Sequence, residues 1–251
     1  MDNQVPQAIV RGAARRFERI GQAQIADYAL ANEVPVALVY NGISHAVMLS
    51  TPQDIEDLAY GFSLTEGIIS APDQLLDFET QATGSGLEAR ITISQRQMRQ
   101  LESRRRSLSG ATGCGLCGIE SLAAVTREIP SPPRLPISPV SAAAIFAAME
   151  SLAEHQPLNR QTHAIHAAGF ASRQGQVMLV REDVGRHNAL DKLAGALVRQ
   201  SLDPAAGIIL LTSRCSFELV QKAAMLGCGM VVTISAPTGL AVELAATHGM
   251  T

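Results

Sequence analysis

Hydrophobic positions along this chain recur with two different periods. Residues 34–40 and 43–49 are short runs dense in Val, Ile, Leu and Tyr, separated by Asn41-Gly42. That dipeptide tolerates positive φ at both positions of a tight turn, so the two runs predict a β-hairpin. Thr51-Pro52 has the form of a helix N-cap followed by proline at the first helical position. Ile55, Leu58, Ala59 and Phe62 then follow at helical spacing, and Gly67 supplies a stop. Residues 87–93 alternate as a strand. Residues 95–106 predict a helix with five arginines (96, 99, 104, 105 and 106) against Glu102. A solvated basic face is the plain reading of that helix, and an acidic partner or a phosphate the alternative.

The later half reads as strands and helices in alternation. An alanine-rich helix is predicted over 140–153, and strands over 164–171 and 176–181 around a turn at Gln174-Gly175. A helix buries Leu190, Leu193, Ala194, Leu197 and Val198. Residues 207–212 and 230–234 form short continuous apolar strands, with a helix over 217–226 between them. Leu240, Ala241, Leu244, Ala245 and His248 make a last helical face. Such an order predicts an α/β sheet covered on its faces. Five prolines fall within residues 130–139. Proline fixes φ and lacks a backbone donor, so neither helix nor central strand continues there. The expected organisation is a polar arm over 1–32 and a smaller α+β domain over 33–129. A proline-rich linker over 130–139 and the α/β domain over 140–251 follow.

Composition narrows the classes. The chain has 251 residues, 47% hydrophobic and 17% charged, which excludes a disordered chain or a fibre. Twenty basic against 23 acidic side chains give a net charge of −3 and remove the electrostatic case for nucleic-acid binding. No apolar stretch approaches the roughly 18 residues of a membrane helix, and residues 1–16 lack the apolar block of a secretory signal. Four cysteines are too few for a disulfide scaffold, so a reducing cytoplasm is expected. The basic residues are 18 arginines and two lysines, Lys192 and Lys222.

Two regions carry candidate chemistry. Cys114-Gly-Leu-Cys117 follows the small, flexible run 107–113 and precedes a predicted helix over 119–127. Its spacing serves zinc ligation, dithiol redox or relay of sulfur through a persulfide, and also suits an unremarkable thiol pair. Zinc needs further ligands, and no second Cys-x-x-Cys or deaminase-type His-x-Glu is present. A thioredoxin-like pair would begin a helix behind a strand. The glycines at 113, 115 and 118 favour accessible sulfurs and relay. Arginines 96–106 lie near in sequence and would favour the thiolate. The second region comprises three strand-to-helix junctions, at 181–188, 212–216 and 235–239. Helix N-termini there offer free N–H groups to phosphates, with His187 inside the most polar junction. Cys215 and Cys228 read as packing residues, His45 as a satisfied core or edge group, and His163 and His166 as local hydrogen-bonding groups.

Several of these runs together resemble the FdhD family. They are Cys-Gly-Leu-Cys-Gly (114–118), Glu-Asp-Val-Gly-Arg-His-Asn-Ala-Leu-Asp-Lys (182–192), Ser-Phe-Glu-Leu-Val-Gln-Lys-Ala-Ala (216–224) and Ser-Ala-Pro-Thr (235–238). His-Ala-Val-Met-Leu-Ser-Thr-Pro (45–52) and Gly-Phe-Ser-Leu-Thr-Glu-Gly-Ile-Ile (61–69) add to the likeness, which runs from about residue 34 onward. The eleven residues 182–192 are specific; the Cys-x-x-Cys alone would not be. The resemblance implies a sulfurtransferase that serves formate dehydrogenase. Sulfur would come from a cysteine desulfurase and pass to the molybdenum bis-guanine-dinucleotide cofactor before its insertion. A cytidine-deaminase-like three-layer α/β domain without the deaminase zinc, and a homodimer, are implied as well. By matching position, Cys114 would carry the persulfide and Cys117 assist it. The strand-end clusters would hold the cofactor: Asp183, Arg186, His187, Asn188 and Lys192 from the first, Ser213, Arg214, Ser216 and Lys222 from the second, Pro237 and Thr238 from the third. Arg186, Lys192, Arg214 and Lys222 are the expected cations. No structural metal, nucleic-acid partner or membrane is implied.

The chain departs from the family pattern in places. Cys215 stands where a small residue or threonine is common, and His163-Ala164 where Gly-Gly often precedes the histidine matching His166. The family pattern normally continues past the position of Thr251 with a further strand and an aromatic-x-Arg stretch linked to cofactor binding; a chain ending at Thr251 would lack its last sheet edge and part of that implied site. Two other classes of function remain open from the residues: a cofactor-binding chaperone without sulfur chemistry, and a zinc-dependent base deaminase.

Overall fold

The computed structural model describes residues 4–16, 24–108, 129 and 140–251. The chain first forms a two-stranded antiparallel ribbon, β1 (Ile9–Arg16) with β2 (Gln24–Ala31). The polar arm is therefore largely strand. Val10, Ile25 and Leu30 are exposed and no residue of the ribbon is fully buried among those described, so no buried alternating face marks it in the sequence.

A four-stranded sheet follows in the order β4–β3–β6–β5. β3 (Val34–Tyr40) and β4 (Ile43–Ser50) form the predicted hairpin, with Asn41 at φ 48° and Gly42 at φ 83° in the turn. β6 (Gly86–Ile93) lies parallel to β3, and β5 (Leu75–Thr83) pairs antiparallel with β6 at the sheet edge. The helices α1 (Ile55–Thr65) and α2 (Gln95–Leu108) cover one face of this sheet. Val36, Leu38, Tyr40, Leu58, Ile91 and Leu101 meet there in one core. His45 stacks edge-on against Tyr40 and Phe62, with ring centroids 5.6 and 6.2 Å away.

The stop and start signals of α1 fare differently. Gly67, at φ 63°, does end it: its N–H reaches the Leu64 carbonyl and the Ile68 N–H reaches Ser63, a Schellman closure. Thr51 does not cap it. The N-cap is Asp54, at φ 55°, because Thr51 is committed to bonds with the other half of the chain.

The second sheet has the order β8–β7–β9–β10. β7 (His166–Ser172) runs antiparallel to both β8 (Val177–Asp183) and β9 (Gly207–Leu211), and β10 (Val231–Thr233) is parallel to β9. β9 is buried throughout because alternate residues serve opposite faces. Ile208 and Leu210 pack with Ala148 and Leu152 of α3 (Ala142–Glu154). Ile209 and Leu211 pack with α5 (Arg186–Arg199), α6 (Phe217–Met225) and α7 (Gly239–Thr247). A short helix, α4 (Pro157–Thr162), precedes β7 and is too brief to show a period in sequence. The domain is thus α/β with helices on both faces. Residues 109–128 and 130–139 hold the Cys-x-x-Cys loop, the helix predicted after it and the proline-rich linker, and lie outside the described residues. Among the described residues, no helix is long and apolar enough to cross a membrane.

The two sheets are joined through α1 and α5, which cross antiparallel with their backbones in contact. A Cβ on Gly61 would collide with the Asp191 carbonyl, and one on Gly195 with the Asp57 carbonyl. Glycine inside a helix costs about 1 kcal/mol relative to alanine, so both positions spend helix stability on close approach. Gly61→Val or Gly195→Val should lower stability by about 3 kcal/mol or more through overpacking. Urea unfolding followed by circular dichroism measures this, and Gly84→Ala, in open space, should leave the midpoint in place.

Candidate functional site

Because β7 opposes both β8 and β9, the strands β8, β9 and β10 point the same way. Their C-terminal ends open together, and α5, α6 and α7 all begin there. The three junctions singled out in sequence are therefore neighbours. Cys215 bridges to Pro237, and the Thr238 N–H donates to the Cys215 carbonyl at 2.9 Å. His187 Nε2 lies 3.4 Å from Ser216 Oγ and 3.8 Å from Glu218 Oε2. Neither α5, capped at Gly185, nor α6, capped at Ser216, has a side-chain cap, whereas Thr238 caps α7 by accepting from the Ala241 N–H. The start of α5 leaves N–H groups and positive dipole toward this crevice, whereas at α6 the Glu218 carboxylate accepts from its own N–H.

Its electrostatics follow from burial and arginine. Burial pushes His187 down to about 4, and Arg186 and Lys222 add to that, so the imidazole is neutral at pH 7. Burial and then Arg186 also lower His166. Glu218 is held below the ordinary carboxylate range: burial works against this, but hydrogen bonds from Ser216 and from its own N–H outweigh it. Arg186 Nε is buried and has no hydrogen-bond partner among the described residues. Arg214, Pro237 and Thr238 are exposed.

The other expected cofactor residues point inward. Asp183 is fully buried, and its Oδ2 accepts from Ser50 Oγ (2.6 Å) and the Thr51 N–H (3.0 Å) and pairs with Lys192 Nζ (2.6 Å). Lys192 also donates to the Thr51 carbonyl at 2.8 Å. Asn188 Nδ2 donates to the Leu49 carbonyl and to Asp183. Burial drives Lys192 below the ordinary lysine range while Asp183 pulls it back. Lys222 Nζ meets Asp191 (2.9 Å), Glu66 (2.8 Å) and Thr65 Oγ1 (3.0 Å). Burial acts downward on Lys222, but Asp191 and Glu66 outweigh it and raise it. Asp57 binds Arg181 and Arg199 at the other end of the α1–α5 crossing. Ser213 is buried and donates to the Arg214 carbonyl. Both expected lysine cations are thus neutralised inside the protein.

Sequence reasoning passed over Glu218, although it stands in the Ser-Phe-Glu run, and passed over the seam partners Ser50, Thr65 and Asp191. Only the i, i+4, i+8 stripes Asp57-Gly61-Thr65 and Asp191-Gly195-Arg199 could have signalled the seam. Cys114 and Cys117 lie outside the described residues. Cys215 and Cys228 are buried packing thiols, and burial pushes Cys228 up to about 11.

A family with this arrangement is known. Residues 31–251 match the FdhD/NarQ family, and the chain belongs to it. Among its relatives, a sulfur carrier protein FdhD of Bordetella petrii is 48% identical over 234 residues, which is 93% of this chain and 80% of the relative. The protein of the same name from Cupriavidus necator is 49% identical over 239 residues, 95% of this chain and 82% of the relative. The fold also matches a crystal structure from Desulfotalea psychrophila, of a protein provisionally described as a formate dehydrogenase accessory protein. That match has a TM-score of 0.73 and 21% identity, and covers 97% of this chain and 91% of the other.

Lys192→Met should cost about 3–5 kcal/mol, because it strands the Asp183 carboxylate in the interior. Adding Asp183→Asn should recover part of the loss in urea unfolding. As pH falls from 7, the unfolded chain protonates His187 near 6.5 while the folded chain resists until about 4. Stability should therefore fall through that window. An NMR titration of the ring locates the native pKa, and His187→Gln should flatten the pH dependence of the unfolding midpoint between 7 and 5.

Proposed function

We propose that this protein is a sulfur carrier for the maturation of formate dehydrogenase. The observation that carries the reading is family membership over residues 31–251, a span that includes Cys114-Gly-Leu-Cys117. The names of the curated relatives support sulfur carriage, and the description of the Desulfotalea protein supports formate dehydrogenase as client. In this reading the protein is a sulfurtransferase. The Cys114 thiolate attacks the terminal sulfur of a persulfide on a cysteine desulfurase. A new S–S bond forms at Cys114, the old one breaks, and the desulfurase cysteine leaves as thiolate. Cys117 assists onward release to the cargo, the molybdenum bis-guanine-dinucleotide cofactor, before its insertion.

The cargo is polyanionic, and the strand-end crevice suits it. The start of α5 lacks a side-chain cap, Arg186 has a buried Nε to offer, and Arg214 and Thr238 stand at the surface. Arg186, His187, Arg214, Ser216, Pro237 and Thr238 form the contacting set in this reading. Asp183, Asn188, Lys192, Ser213 and Lys222 support it from behind. The strand order β8–β7–β9–β10, with helices on both faces, is consistent with a cytidine-deaminase-like domain. A homodimer working in the reducing cytoplasm completes the proposal.

Incubation with a cysteine desulfurase and L-cysteine, followed by intact mass measurement, tests the sulfur step. The wild type should gain a one-sulfur adduct that Cys114→Ser abolishes and Cys117→Ser retains. Formate dehydrogenase maturing normally with Cys114→Ser would overturn the carrier role and leave a cofactor chaperone. Guanosine diphosphate should slow hydrogen exchange at the first turns of α5 and α6, and Arg186→Glu should remove that protection.

A further inference from the structure

An open cavity of about 890 Å³ lies away from the strand-end crevice, between α2, the segment after α1, and the end of α6. Part of its wall is a connected series of uncharged polar side chains. Gln97 Nε2 donates to Gln74 Oε1 at 2.6 Å, and Gln74 Oε1 accepts from the Ser70 N–H at 2.9 Å. Gln97 Oε1 accepts from Ser94 Oγ at 2.8 Å and from the Ser94 N–H, a capping box that fixes the start of α2. Apolar contact is offered by Leu76, 61% exposed at a register irregularity of the edge strand β5, and by Met225 of α6.

The sequence of α2 holds five arginines and one glutamate, in a chain of net charge −3. Arg96 lines the cavity, and Arg99 is exposed one turn on. Among the described lining residues, Asp73 is the one acid and none is aromatic. Amide and hydroxyl groups suit the N–H and C=O groups of an extended peptide. A nucleic-acid strand would instead call for stacking rings.

We propose that this groove docks an acidic, extended segment of a partner protein. Carboxylates would meet Arg96 and Arg99, and one apolar side chain would sit against Leu76 and Met225. The inference does not depend on sulfur transfer, since none of these residues belongs to the crevice.

The probe is a fluorescein-labelled synthetic peptide of glutamates around one central leucine, titrated against the full chain and read by anisotropy. The wild type should bind it, more weakly as salt rises. Arg96→Glu with Arg99→Glu should weaken binding about tenfold or more, and Arg11→Glu, a charge reversal on the exposed ribbon, should leave it unchanged. Leu76→Ser, or serine for the peptide's leucine, should weaken it several-fold. These two changes decide the matter if the double arginine variant loses its circular dichroism spectrum. Four results would overturn the proposal: absence of wild-type binding, equal loss with Arg11→Glu, equal binding of the glutamine-for-glutamate peptide, or preference for an oligothymidylate of matching charge.

Discussion

The crossing of α1 and α5 sets the terms for the rest of the molecule. Where Gly61 meets the Asp191 carbonyl and Gly195 meets that of Asp57, no side chain separates the two backbones. Water is excluded along the seam, so each charge flanking the glycines needs a partner within the protein. Arg199 and Arg181 answer Asp57 at one end; Thr65 and Lys222 answer Asp191 at the other. A slip of one turn would part these groups and strand charge in the interior. The glycines fix the distance between helices, and the ion pairs fix the register.

The same seam explains how one run of sequence can serve two purposes. Within residues 182–192, Asp183, Asn188 and Lys192 reach back to the β4–α1 connection, where Ser50, Thr51 and the Leu49 carbonyl receive them. Arg186 and His187, between them in sequence, stand at the helix start beside the crevice. One turn of α5 thus faces two environments, and the buried contacts hold the forward-facing pair in place.

Much of the fold was legible because it follows simple periods. The Asn41-Gly42 hairpin, β6 and the helices α3, α5, α6 and α7 all emerge close to their predicted limits. The ribbon β1–β2 and the strand β5 were not visible, since neither buries a regular alternating face. The site was legible by location and only partly by role. The three polar junctions after apolar strands do come together at one end of the sheet. A polar residue's type does not reveal whether it meets a ligand or a distant main chain, however. Asp183 bonds to residues more than a hundred positions away, and no local pattern records that. Thr51 shows the same limit: its Thr-Pro signature is that of a cap, yet its donors and acceptors serve the seam.

The burial of both lysines reaches to the outer surface. Lys192 and Lys222 are the chain's two lysines, with side-chain exposures of 0% and 9%. Solvent-facing basicity is therefore carried by guanidinium groups. Those groups are planar, bind carboxylates and phosphates two-pronged, and keep their proton at any pH a cell reaches. Primary-amine chemistry has almost nothing to grip on the side chains of this protein. Acylation or alkylation at an ε-amino group would first have to prise the two halves apart.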